Sequence, residues 1–150
     1  MTLLDASQPE PSRKPYYIVI VVVIVFLIAL FVWREVRYRA EEATATSFFS
    51  ALVSGNLQEA YKLWQPSESY TFHDFQNAWG PDGYYGPVKS FEIEASGAPS
   101  KSDSSVAVTV RISPYQPFPK SGTAEANKTK EIVIWVNRAT KSLSFPPPTY

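Results

Sequence analysis

Cysteine is absent from this 150-residue chain. That absence removes disulfides, thiol nucleophiles, thiolate metal sites and any cysteine-borne lipid. It leaves the compartment open, because chains without disulfides occur on both sides of membranes. Histidine is almost as scarce: His73 stands alone, too little imidazole for a transition-metal centre. A surplus of either charge is missing as well, with 14 basic and 14 acidic side chains. Setting aside Arg13, Lys14, Asp5 and Glu10, the chain after Trp33 holds 12 of each. Nucleic-acid binders carry a basic surplus or stripe, so no nucleic-acid partner is expected. No internal repeat of useful length occurs, and no cofactor or metal is implied.

What is present is one long apolar run. Tyr16 to Trp33 reads YYIVIVVVIVFLIALFVW, 18 residues without a charge. As a helix it covers roughly 27 Å, close to a bilayer's hydrocarbon thickness. Tyr16 and Tyr17 stand at one end and Trp33 at the other, where amphipathic rings suit the headgroup interface. A secretory signal has an apolar region of roughly 7–15 residues and a small-residue cleavage site just behind it. The best such site, Ala43-Thr44-Ala45, lies well beyond this run. The run therefore reads as a permanent single-span anchor in a lipid bilayer. Basic residues flank it on both sides: Arg13 and Lys14 before, Arg34, Arg37 and Arg39 after. The short basic tail ahead of a long downstream domain favours a cytoplasmic N-terminus and an extracytoplasmic domain.

The organisation follows from composition. Residues 1–15 contain three prolines and no apolar periodicity, the signature of a disordered tail. Residues 16–33 form the span, 34–41 a stalk, 42–146 a folded domain and 147–150 a C-terminal tail. No proline or glycine interrupts the chain from Arg34 to Ser54, so the membrane helix is expected to run on through the stalk. Ala45, Phe48, Phe49, Leu52 and Val53 mark one helix face, and Gly55 is a suitable stop because it adopts positive φ freely. Asn56 with Glu59, then Thr71 with Asp74, have the spacing of N-caps and capping boxes. Leu57, Ala60, Tyr61 and Trp64 supply the apolar face of a short second helix before Pro66. Phe72, Phe75 and Trp79 supply that of a third, stopped by Gly80-Pro81.

The apolar period then changes to two. Phe91, Ile93 and Ala95 alternate with Ser90, Glu92 and Glu94, and Val106, Val108, Val110 and Ile112 alternate likewise, each the pattern of a half-buried strand. EIVIWV is apolar on both faces, as in an internal strand. Leu143 and Phe145 suggest a short last strand. A long proline-bearing loop, Ser113 to Thr129, reads as mobile or partner-facing. Helices first and a meander afterwards describe an α+β domain, with three helices packed on one face of an antiparallel sheet of about four strands.

AWGPDGYYGP, residues 78–87, raises the question of a ligand loop, since Gly80, Gly83 and Gly86 recur every third residue. A phosphate loop needs a following Lys-Ser or Lys-Thr and a strand-to-helix setting. Here the order is helix to strand, so the stretch reads first as a corner. Tyr84 and Tyr85 remain candidates for the mouth of a cleft, and Trp64, Trp79 and Trp135 for pocket walls or partner contacts. His73 and Asp74 are neighbours in a helix and do not face each other. No catalytic residue is expected from this pattern.

Two motifs add a resemblance. Phe49-Ser50-Ala51-Leu52-Val53-Ser54-Gly55-Asn56 fits a helix ending F-x-x-L-x-x-G-[DN], and Gly86-Pro87-Val88-Lys89-Ser90-Phe91-Glu92-Ile93 fits a glycine-led strand, G-x-[VI]-x-S-x-x-[IV]. With the intervening LQEAYKLW, these resemble the nuclear transport factor two-like (ketosteroid-isomerase-like) superfamily over about Glu41 to Phe145. The likeness is to its small bacterial membrane-anchored or lipid-anchored members of unassigned function. It implies a cone-shaped domain whose curved sheet and helices enclose a pocket. Some members are isomerases or dehydratases, using an aspartate often joined by a tyrosine or histidine; no such set transfers residue by residue. The leading expectation is a non-catalytic binding domain, an accessory or assembly subunit among other membrane proteins of the envelope. A binder of small apolar ligands is the alternative, and an isomerase-like enzyme the second.

Overall fold

The computed structural model describes residues 14–64, 66, 68–98 and 104–145. The expected tails lie outside the described residues, except that Lys14 and Pro15 already belong to the first helix. The chain divides into two compact units after Arg37.

The first unit carries α1, Lys14–Val36. It is a helix long and apolar enough to cross a membrane. Proline near its start is tolerated because first-turn N–H groups lack helical acceptors in any case. Every side chain from Tyr16 to Trp33 is exposed, so this helix buries none of its apolar stripe within the chain. The Arg37 guanidinium lies over the Trp33 ring, 5.2 Å from its centre.

The unbroken helix expected through residues 34–41 does not form. Arg37 and Tyr38 make a turn, and Tyr38 leaves the helical region with φ −114° and ψ 7°. No proline or glycine explains the break; tertiary packing does. The Tyr38 ring packs on the second unit's core, with the Arg138 guanidinium 5.9 Å from its centre.

The second unit is α+β. Helix α2, Arg39–Val53, buries Ala45, Phe48, Phe49, Ala51 and Leu52. Gly55 at φ +76° closes it, its N–H donating to the Leu52 carbonyl while the Asn56 N–H donates to Ala51. The Asn56 side chain caps α3, Leu57–Leu63, by accepting from the Glu59 N–H; Glu59 does not return the bond and pairs with Lys62 at 3.3 Å. Helix α4, Phe72–Trp79, has a complete capping box between Thr71 and Asp74.

Four antiparallel strands follow: β1 Ser90–Gly97, β2 Ser105–Ser113, β3 Lys130–Asn137 and β4 Leu143–Ser144. They form one open sheet in the order β1-β2-β3-β4. Val106, Val108, Val110 and Ile112 of β2 face Ile132, Ile134 and Val136 of β3 on the buried side. Helix α2 packs across β1, β2 and β3.

One strand departs from strict alternation. A bulge between Ile93 and Ala95 shifts the register, so Ala95 points outward and Ser96 inward instead. An extra residue in one strand inverts the two-residue period beyond it. Glu94, at the bulge, pairs with Arg111, and Ser96 donates to the Glu42 carboxylate on α2. Polar contacts across the sheet and to the helix favour the shifted register.

Candidate functional site

The glycine-rich corner is a backbone knot. Tyr84 and Tyr85 donate their N–H groups to Asn77 and Ala78 at 3.0 and 2.8 Å, and Gly83 donates to Gly80 at 2.9 Å. The corner thus folds back onto the last turn of α4. A Cβ on Gly80 would collide with the Gln76 carbonyl, one on Gly86 with the Gly80 carbonyl, and one on Gly83 would lie 2.8 Å from the Ala78 carbonyl carbon. All three glycines are there because backbone occupies the space of a side chain. None points its N–H groups at a common empty centre; those of Gly83 and Gly86 are spent on Gly80 and Gly83.

The knot sorts the two tyrosines. Tyr84 is 74% exposed, with the Lys130 ammonium 5.2 Å from its ring centre and hydrogen-bonded to its carbonyl. Tyr85 turns inward and stacks on Trp79 at 4.6 Å. Burial, with Tyr84 nearby, raises its phenol above the ordinary range.

Trp64 and Trp79 are 3% and 2% exposed and belong to the core. Phe48 meets the rings of Phe49, Trp64, Phe75 and Trp79 at 5.0 to 6.1 Å. Phe145 caps the cluster, 4.6 Å from Trp64 and 6.0 Å from Trp79. Edge-to-face and offset contacts of this kind each add about 0.5–1.5 kcal/mol beyond area burial. These rings fill the layer between helices and sheet. Tyr70, at the rim of the cluster, has its phenol pushed up to about 12, first by burial and then by the nearby Asp74.

Trp135 lies elsewhere. It pairs with Ala107 on the sheet face opposite Ile134 and Val136 and is half-buried there. Its indole N–H is shielded and has no hydrogen-bond partner among the described residues. The structure therefore does not bring the five aromatic candidates to one place: Trp64, Trp79 and Tyr85 meet, Tyr84 faces outward, and Trp135 occupies the other face. Tyr16, Tyr17 and Trp33 stand exposed at the ends of the apolar run.

Asp74 is committed to its cap. One carboxylate oxygen accepts from the Thr71 N–H at 2.8 Å and hydroxyl at 2.7 Å, bonds that hold its carboxyl below the ordinary range. His73 is exposed beside it. Among the described residues, no three His, Asp or Glu side chains gather as a metal-binding group.

Two surface grooves lie apart from the aromatic cluster. One, of about 350 Å³, lies along the β2–β3 loop and is lined by Tyr115, Pro117, Phe118 and Pro119 among others. The other, of about 330 Å³, runs between α2, the end of α3 and the β3–β4 turn. Beside it Lys141 donates to Glu41 at 2.8 Å. Glu41 is 6% exposed. Burial opposes its ionisation, but the bond and charge of Lys141, helped by Arg138, outweigh that and lower its pKa. These partners are 100 positions apart, so no local spacing could have announced them. The first groove was legible only as a proline-bearing loop.

No family model matches the chain, and no curated protein or solved structure does so either.

Proposed function

We propose that this protein is a single-span, membrane-anchored, non-catalytic binding domain, serving as an accessory or assembly subunit among other membrane proteins. One observation carries the reading: an exposed apolar helix of membrane-spanning length joins a folded α+β unit with only four residues between Trp33 and Tyr38. A short connection holds such a domain close to the bilayer, where membrane proteins are its nearest neighbours. Commitment of Asp74 to its cap supports a binding role over acid–base chemistry. On this reading α1 is retained as an anchor, the N-terminus is cytoplasmic and the second unit is extracytoplasmic. The helices-then-meander order is also what a nuclear transport factor two-like cone requires, and we adopt that fold as part of the proposal.

The test is native electrophoresis after mild detergent extraction, with mass spectrometry of the comigrating proteins and of the intact chain. A defined set of membrane proteins together with a chain that retains residues 16–33 is the expected result. A chain cleaved near Ala45 would replace the anchor with a signal sequence. Migration alone would remove the subunit role. Protease protection of intact cells reads the orientation.

A second reading, a binder of small apolar ligands, draws on the groove beside Tyr115, Pro117, Phe118 and Pro119. Its volume lies at the low end of small-molecule sites, roughly 300–1,000 Å³.

A further inference from the structure

We propose that the groove between α2, α3 and the β3–β4 turn is a binding site for a phosphate group. Its polar lining comprises Lys62, Lys141 and the hydroxyl residues Thr44, Ser47, Thr140 and Ser142. No carboxylate residue is among those that line it. Two lysines and four hydroxyl residues lining one space of about 330 Å³ match the negative charge and acceptor-rich oxygens of a phosphate group. Lysine binds phosphate as a point charge, with three donors to distribute.

The present partners leave that capacity in place. Glu41 holds Lys141 at 2.8 Å and Glu59 holds Lys62 at 3.3 Å, each pair occupying part of an ammonium with three hydrogens. Thr44 and Ser47 rest on the Ala40 and Ala43 carbonyls at 3.0 and 2.9 Å. The Thr140 and Ser142 hydroxyls share a bond at 2.8 Å. Hydroxyl hydrogens rotate, so all four are able to turn toward an anion.

The turn itself is shaped around Lys141. Asn137 accepts through its side chain from Ala139 and Thr140 at 2.9 and 3.1 Å and through its carbonyl from Lys141. Lys141 then adopts φ +56°, alone among the described non-glycine residues. A left-handed lysine is strained relative to glycine or asparagine. Strain of this kind is retained where the side chain's position matters.

Two sources supply a phosphate group: a phospholipid headgroup and a free phosphate. The lipid source rests on the anchor reading. The free source does not depend on an anchor.

The test uses the full chain in dodecyl maltoside, with phosphorus NMR line broadening of two probes, inorganic phosphate and monomeric dihexanoylphosphatidylglycerol. Sodium chloride matches ionic strength. At least one probe is expected to broaden, and Lys62→Gln, at an exposed position, to weaken its binding about threefold to tenfold, as loss of one charged contact predicts. The Glu41→Gln/Lys141→Gln double variant removes the second ammonium without stranding the buried carboxylate and is expected to weaken binding similarly. Preference for the lipid probe assigns the headgroup; equal or better binding of inorganic phosphate assigns a free phosphate. Absence of broadening with both probes overturns the proposal. So does broadening that neither Lys62→Gln nor the double variant reduces. Loss of the lipid preference alone leaves the phosphate site standing, and the anchor reading is tested separately, by whether the intact chain retains residues 16–33.

Discussion

Two connections in this domain carry both glycine and proline, and they use glycine for different reasons. In the corner after α4, Gly80, Gly83 and Gly86 are crowded by backbone, and none lies in the positive-φ region. In the β2–β3 loop, Gly122 has open space around it and φ +85°. One connection needs the missing side chain; the other needs the torsional freedom. The loop also keeps its own bonds, with Thr123 donating to the Lys120 carbonyl and accepting from Ala126. The corner is instead bonded back to α4. A glycine in a loop thus says little until the space around it is known.

The largest test of that difference is Gly86→Ala. Its methyl group would meet the Gly80 carbonyl, and overpacking against backbone that cannot yield costs about 3 kcal/mol or more. Thermal unfolding followed by circular dichroism should show a steep loss of stability; a small change would mean that the corner opens easily. Thr71→Ala comes next. It removes the hydroxyl that caps the helix supporting the corner and should cost about 0.5–2 kcal/mol. Gly122→Ala should cost about 1 kcal/mol, because only the left-handed torsion is penalised. If Gly122→Ala proved worse than Gly86→Ala, the assignment of space to one connection and torsion to the other would be reversed.

A smaller effect concerns acid. The Asp74 carboxyl titrates below the ordinary range in the fold because Thr71 donates to it. A group with a depressed folded pKa stabilises the fold above its unfolded pKa and loses that contribution as pH falls through the folded value. Stability should therefore drop from roughly pH 4 downward, and Asp74→Asn should flatten that part of the acid titration. An unchanged titration in Asp74→Asn would assign the acid response to other carboxylates, Glu41 first. Smallest of all is Lys130→Gln, which removes the cation over Tyr84 at an exposed site. Its cost should be about 0.5–1 kcal/mol, felt at the corner and not at Gly122.

These contrasts separate what local spacing could convey from what it could not. Thr71 and Asp74 describe their capping box by their three-residue spacing alone, and Gly55 describes its helix stop. The turn at Arg37–Tyr38 lies in a stretch that every local rule reads as helix. It exists because Tyr38 has a core to pack against and Arg138 over its ring. The aromatic candidates were legible as a class, since large rings in amphipathic patterns are buried somewhere. That Trp135 would leave the other tryptophans was legible only once β3 had a register.

By itself the sequence determined the apolar run, the three domain helices with the Asn56 cap and the Thr71–Asp74 capping box, the two-residue period of the strands and the α+β order. Each of these depends on residues within a turn of helix or a few steps of strand. Only the tertiary structure decided the helix break at Tyr38, the bulge beside Glu94 and the crowding that makes Gly80, Gly83 and Gly86 necessary. It also decided the groove that Lys62 and Lys141 both line. Those features arise between side chains and backbone brought together from distant positions, and spacing along a chain does not encode which distant partner will fill a given space.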